Sequence, residues 1–372
     1  MTNAAVANNS AAPSNPVVGA IDTDVHLYLP DGMASVAPYI PPSWRRMFEM
    51  RGTKVGGDVS VPSKFDFPSG SRLRVDAFPP SGGLPGSDAA FAQADHLNRH
   101  GFSGVVMSSL EAGQAAQGFY GVDASSVMCS AFNDFALEQW NRVDGRFKLA
   151  MCVSSVDVDG AVAEIKRIGK HEGVAAVYVP LLNIGLGNKY FYPIYAAAQA
   201  VDLPIFLHIT AAEFTYQGTP AWPGGTLENF SERRVAYAIM GPVILNSLVF
   251  NGVFERFPKL NFVFAEFGFS WAVGIMWRMD STWRYARAGT PWVKRPPSDY
   301  IRERVKFGTQ PMEDPSPADM AKMVSLLGPE CLMFSTDYPH WDTDTPGRVF
   351  QSESTATKHQ IYRTNAQEIF RW

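Results

Sequence analysis

The chain has 372 residues, 46% of them hydrophobic and 18% charged, and a formal net charge of −4. That is ordinary globular composition, enough for one large core or two modest ones. The acidic balance and the lack of any basic run exclude nucleic-acid binding by a charged face. No apolar run reaches the roughly 18 residues that a membrane span needs. Three widely spaced cysteines, Cys129, Cys152 and Cys331, form neither a CxxC pair nor a disulfide framework, which fits a reducing cytoplasm. Cys152 and Cys331 lie in apolar runs and read as buried, inert thiols. Aromatic residues make up 13% of the chain, nine of them Trp, a content suited to extensive burial and to contacts between subunits.

Residues 1–18, rich in Ala, Asn and Ser, read as a flexible arm, and they lack the basic and apolar regions of a signal peptide. The rest, 19–372, reads as one domain. Its first strand is "IDTDVHLYLP", residues 21–30. Side chains two apart on a strand share a face, so Asp22, Asp24 and His26 are expected to point one way together. Burying two carboxylates beside an imidazole is costly unless a positive charge neutralises them, and a metal ion would do so. Residues 30–90 follow, dense in Pro and Gly, as an insertion that serves as a lid, a subunit contact or both.

From residue 90 apolar strands alternate with amphipathic helices. Strands are expected near residues 21, 103, 147, 174, 204, 260, 304 and 331. Such alternation means parallel pairing. Eight units over this length predict an α/β fold, a (β/α)8 TIM barrel. The doubly wound alternative lacks the Gly-rich loop after its first strand.

In such a barrel the active site lies at the C-terminal strand ends. His26 ends the first strand, His208 the fifth ("PIFLHIT"), Glu266 the sixth ("FVFAEFG") and Asp337 the eighth ("LMFSTDYPH"). Any one alone reads as a hydrogen-bonded core residue or as turn chemistry. Four at equivalent ends, together with Asp24, predict a metal site. His340 and Trp341 are placed at its mouth, and Asp22 deeper on the same face, where it either orients a metal ligand or, as the favoured reading, makes a structural hydrogen bond. Glu213 reads as an exposed loop acid. His96, His100, His171 and His359 read as solvated surface, and Arg302, Arg304 and the pair Arg233–Arg234 as scattered charges forming no anion site.

These segments resemble the amidohydrolase superfamily, and most of all its branch similar to aminocarboxymuconate semialdehyde decarboxylase. Asp24-Val25-His26 matches that branch's opening acid- or His-x-His pair. His208 matches its fifth-strand ligand motif, Glu266 its next His or Glu, and "TDYPH" its terminal motif at Asp337 and His340. The resemblance implies one divalent ion on Asp24, His26, His208 and Asp337, with zinc expected first and manganese or iron as alternatives. Asp337, Glu266 and His340 are then the catalytic residues, acting through an activated water. The reading is hydrolysis or decarboxylation of a small organic acid or amide by a homo-oligomer or a hetero-oligomer with a related chain. Its alternative is one subunit of a hetero-oligomeric metal-dependent oxygenase, this chain being either catalytic or a metal-binding structural partner. Glu266 stands where decarboxylases of the branch often carry His; raised by burial it could shuttle a proton, but its negative charge is expected to repel an anionic substrate and to weigh against decarboxylation.

Overall fold

The structure is a computed structural model, and it describes residues 18–50, 72–210, 228–313, 315–347 and 349–372. Most of the arm, the centre of the insertion and Glu213 therefore lie outside the described residues.

The predicted strands are all present in one parallel sheet of eight, in the order of the sequence. They are β1 (Ile21–His26), β2 (Gly104–Ser108), β3 (Phe147–Cys152), β4 (Val174–Tyr178), β5 (Ile205–Leu207), β6 (Phe262–Phe264), β7 (Val305–Gly308) and β8 (Leu332–Met333). Nearly every strand residue is buried, because a parallel barrel is covered by side chains inside and helices outside. The architecture is the (β/α)8 barrel that the alternation predicts.

The connecting helices carry their own local causes. Asp157 caps Val158–Ile168 by accepting from Gly160 N, and Asn229 with Glu232 forms a capping box at the start of Phe230–Phe250. The insertion contains a helix, Pro42–Met50, that the Pro/Gly count conceals. Its last part, from Arg72, runs along the loop after β8: Trp341 N donates to Arg72 O at 3.0 Å and Arg74 N to Pro339 O at 2.9 Å.

The seam between β8 and β1 differs from the other strand pairings. The ladder of β8 is two residues long, and a single bridge, Val25 to Tyr338, joins the chain beyond it to β1. Closure is completed by separate bonds: Thr23 N to Phe334 O at 3.0 Å, Asp337 N to Asp24 O at 3.0 Å and His26 N to Tyr338 O at 2.7 Å. In β1 the register against β2 also shifts between Asp22 and Val25.

At the opposite end of the barrel, Gly104 opens β2 directly against the indole of Trp372, which a Cβ at this position would strike. Lys148 Nζ lies 4.8 Å from the same ring centroid. Gly104→Ala is expected to destabilise the fold by about 1–3 kcal/mol through overpacking, read as a lower Tm. Trp372→Ala in the same chain should recover part of the loss.

Candidate metal centre and its pocket

The residues singled out at the strand ends meet. His26 is the last residue of β1, His208 follows β5 directly, and Glu266 and Asp337 stand two and four residues beyond β6 and β8. Asp24, His26, His208 and Asp337 are each fully buried, and one ligand atom from each lies within 4.8 Å of the others. His26 Nε2 is 2.8 Å from Asp337 Oδ1 and 3.6 Å from Asp24 Oδ1, and His208 Nε2 is 3.2 Å from Asp24 Oδ2. Glu266 Oε2 stands 3.4 Å from His208 Nε2.

Asp24 Oδ1 and Oδ2, His26 Nε2, His208 Nε2 and Asp337 Oδ2 are buried without a hydrogen-bond partner among the described residues. Buried polar atoms are rarely left so, and here they converge on one point. The other ring nitrogens are occupied, His26 Nδ1 by Ser108 Oγ at 3.1 Å and His208 Nδ1 by the Ile209 carbonyl. Imidazoles anchored through one nitrogen, with the other turned towards carboxylates, are the donor arrangement a divalent ion takes.

The electrostatics agree. Burial pushes the Asp24 carboxyl up, and burial with Glu266 beside it pushes Asp337 well up. Burial also raises Glu266, to about 7. Burial works against the charge of His208, but Asp24 and Glu266 outweigh it and raise that imidazole to about 9. Burial holds His26 and His340 well below the usual range, helped by neighbouring cations. Carboxylates that resist ionisation together are what a cation would relieve. Glu266 and Asp337 adopt left-handed backbone, φ 63° and 64°, a strained conformation for non-glycine residues that clusters at functional sites.

His340 is drawn into the same group. Its Nδ1 is 2.6 Å from Asp337 Oδ1, its Nε2 2.8 Å from Tyr28 Oη, and its ring stacks on His26 with centroids 4.6 Å apart. A pocket opens above, lined by Glu266, His340 and Trp341 together with Arg72, Arg233 and Arg234. Arg234 pairs with Asp342 at 2.5 Å, and Arg72 lies over the Tyr28 ring at 5.5 Å. Phe230, Leu110, Ile209 and Tyr237 supply the apolar part of the lining.

Four expectations need correction. Asp22 does not share the direction of Asp24 and His26: its carboxylate bonds to Thr336 and His96 instead, and the register shift in β1 falls between Asp22 and Val25. His96 and His100 are buried, not solvated, because the helix carrying them lies against β1 and the loop after β8. Arg233 and Arg234 are not scattered, since the helix Phe230–Phe250 brings both to the pocket. Arg72, which no pattern in the sequence marks, completes the group. Glu266 is not a fixed negative charge facing the substrate, with burial holding it near 7 and guanidinium groups around it. The structural hydrogen bond expected of Asp22 and the placement of Trp341 at the mouth both hold.

A (β/α)8 barrel with two imidazoles and two carboxylates gathered at its C-terminal strand ends is a fold and site of the metal-dependent hydrolase and lyase kind. The chain belongs to the amidohydrolase family, whose model matches residues 21–372. Among solved structures, an amidohydrolase from Mycobacterium avium subsp. paratuberculosis K-10 is 19% identical, with a TM-score of 0.69 over 95% of this chain and 99% of that one. The 5-carboxyvanillate decarboxylase of Sphingomonas paucimobilis is 20% identical, with a TM-score of 0.65 over 95% and 99%. A dihydroxybenzoic acid decarboxylase from Polaromonas sp. JS666, with bound manganese and the inhibitor 2-nitroresorcinol, is 18% identical, with a TM-score of 0.62 over 95% and 97%. These likenesses extend the shared fold across nearly the whole length of each chain, and they lend no support to the oxygenase alternative. Among the described residues, no helix is long and apolar enough to cross a membrane.

The raised imidazole of His208 has a consequence for the metal-free protein. Its folded-state value of about 9 lies above the ordinary 6.5, so the folded chain binds an extra proton between those limits. The stability this contributes is fully present below pH 6.5 and is lost as pH rises towards 9. Chelator-treated protein should therefore show a falling Tm from pH 7 to pH 9, and His208→Gln should flatten that slope.

Proposed function

We propose that this chain catalyses the metal-dependent decarboxylation of a small aromatic acid. The observation that carries the reading is the pocket itself: three guanidinium groups surround an entrance whose floor holds a buried, protonatable Glu266 beside the ligand cluster. The Sphingomonas and Polaromonas enzymes, named as decarboxylases of aromatic acids, support it as relatives in fold.

Asp24, His26, His208 and Asp337 would hold one divalent ion. Manganese, present in the Polaromonas structure, suits this mixed oxygen and nitrogen set as well as zinc does. Bound there, the ion would supply the positive charge that lets the carboxylates ionise together and gives substrate oxygens a place to bind.

The chain's own groups account for the rest. Arg72 and Arg233 attract and orient the acid, since guanidinium groups match carboxylate geometry, while Arg234 is engaged by Asp342 of the same lining. Phe230, Trp341 and Leu110 cover the ring and keep water from it. When the carbon–carboxylate bond breaks, its electron pair stays on the ring carbon and carbon dioxide leaves. That carbon takes the proton held by Glu266, a carboxyl that burial raises towards about 7. His340, kept neutral by burial and bonded to Asp337, lines the same pocket and can relay a proton from solvent to Glu266 after carbon dioxide has left.

The test is turnover of 2,6-dihydroxybenzoate, 5-carboxyvanillate and related hydroxybenzoic acids by chain loaded with Mn²⁺ or Zn²⁺, following phenolic product by chromatography. Release of carbon dioxide from at least one supports the reading; cleavage of amides with no decarboxylation would replace it with hydrolysis. Glu266→Gln should lower kcat about 100-fold while leaving metal content intact. His208→Ala should remove most of the metal and leave the barrel folded.

A partner chain belongs to the same reading. Val235, Ile239 and Val243 lie exposed at four-residue spacing on the helix Phe230–Phe250, and Trp277 is exposed on Ser270–Ala286, which packs against it. An apolar stripe on a helix that also lines the pocket suits a subunit contact. Light scattering should give a dimer or larger, and Ile239→Glu should shift it towards monomer.

A further inference from the structure

The barrel closes where its chemistry sits. Asp24, His26 and Asp337 all belong to the β8–β1 seam, the pairing in which the regular ladder is replaced by one bridge and a few separate bonds. One side chain spans this seam from behind. Asp22 is fully buried, and its carboxylate is surrounded by donors. Oδ1 accepts from Thr336 N at 2.9 Å and from Asp24 N at 3.3 Å, and Oδ2 accepts from Thr336 Oγ1 at 2.6 Å. Thr336 Oγ1 in turn accepts from Tyr338 N at 3.2 Å. The backbone on both sides of Asp337, and the amide of Asp24 itself, are thus tied to one carboxylate.

That carboxylate is itself held. His96 Nε2 lies 2.7 Å from Asp22 Oδ2, reaching in from the helical layer between β1 and β2. The His96 ring stacks on Tyr338, with centroids 4.3 Å apart and planes 22° apart, and packs on Phe102 at 5.0 Å. Its Nδ1 is buried and has no hydrogen-bond partner among the described residues. With an acceptor-only carboxylate 2.7 Å away, Nε2 is the nitrogen that donates, and Asp22 accepts.

The geometry points to Asp22 and His96 as positioning residues, a clamp that sets the spacing and direction of the Asp24 and Asp337 carboxylates and hence the fit of the ion. They touch neither the pocket nor the substrate, so their effect passes entirely through the seam. The inference rests on the ligand assignment made above but not on the reaction, because its readouts are metal affinity and ligand-field spectrum. Groups that orient metal ligands typically change affinity about 10–100-fold when removed.

Two substitutions at His96 separate clamping from packing. His96→Phe keeps the ring on Tyr338 and removes the N–H. His96→Gln loses the ring but can present an amide N–H at the same place. With Mn²⁺ and a competing chelating dye, His96→Phe is expected to raise the Kd about 10–100-fold and to shift the visible absorption of the Co²⁺-substituted chain. His96→Gln should stay within a few-fold of the parent in Kd and retain its Co²⁺ spectrum, although it lowers Tm. Thr336→Val, which removes the hydroxyl at nearly constant volume, tests the clamp from the other side and should weaken Mn²⁺ binding as His96→Phe does. Should His96→Phe fail to fold, Thr336→Val decides. Parent-like Kd and spectrum in a folded variant lacking either contact would overturn the proposal, as would a His96→Gln chain that weakens metal as much as His96→Phe.

Discussion

Three carboxylates and two imidazoles packed together at one end of the barrel set the constraint on which the rest of this molecule depends. Burial pushes Asp24, Glu266 and Asp337 towards their protonated forms, while His208 is driven the other way by the acids around it. Such a cluster is costly without a cation. It persists because the surrounding fold leaves the groups nowhere else to go. His26 and His208 are fixed through their second nitrogens, and Asp337 is held in left-handed backbone by the loop after β8. The pocket above them thus combines a floor of carboxyls that resist ionisation with a lining that includes Arg72, Arg233 and Arg234.

Much of this was legible in the chain. Alternating apolar and amphipathic segments require parallel strands wrapped by helices, and all the expected strands occur. His208, Glu266 and Asp337 stand out because each interrupts an apolar run, and a polar residue there has few neighbours able to satisfy it. What periodicity could not reach was any contact set by distant segments. Arg72 arrives from the insertion and Arg233 and Arg234 from a helix of their own, about 160 residues later by the chain numbering. Their convergence has no local signal. His96 was misread for a related reason: polar neighbours in sequence suggest solvent, yet its own side chain faces the barrel wall.

Strict strand alternation also misplaced Asp22. A period of two assumes an undisturbed ladder, and the register shift in β1 breaks that assumption between Asp22 and Val25. The irregularity is what turns a run of like residues into two separate jobs, one carboxylate for the cluster and another for the seam. A perfectly regular strand would have crowded all three onto one face, adding a further buried charge to a group already short of compensation.

The pocket's parts come from three stretches of chain, the strand ends, the helix Phe230–Phe250 and the insertion. The ligand cluster and its acid belong to the barrel strand ends, whereas Arg72 is delivered by the closing stretch of the insertion, through two backbone bonds to the loop after β8. The stretch that carries Arg72 is thus separate in sequence from the strand ends, so substitutions within it can change the charge at the pocket's rim while Asp24, His26, His208 and Asp337 stay where the barrel holds them.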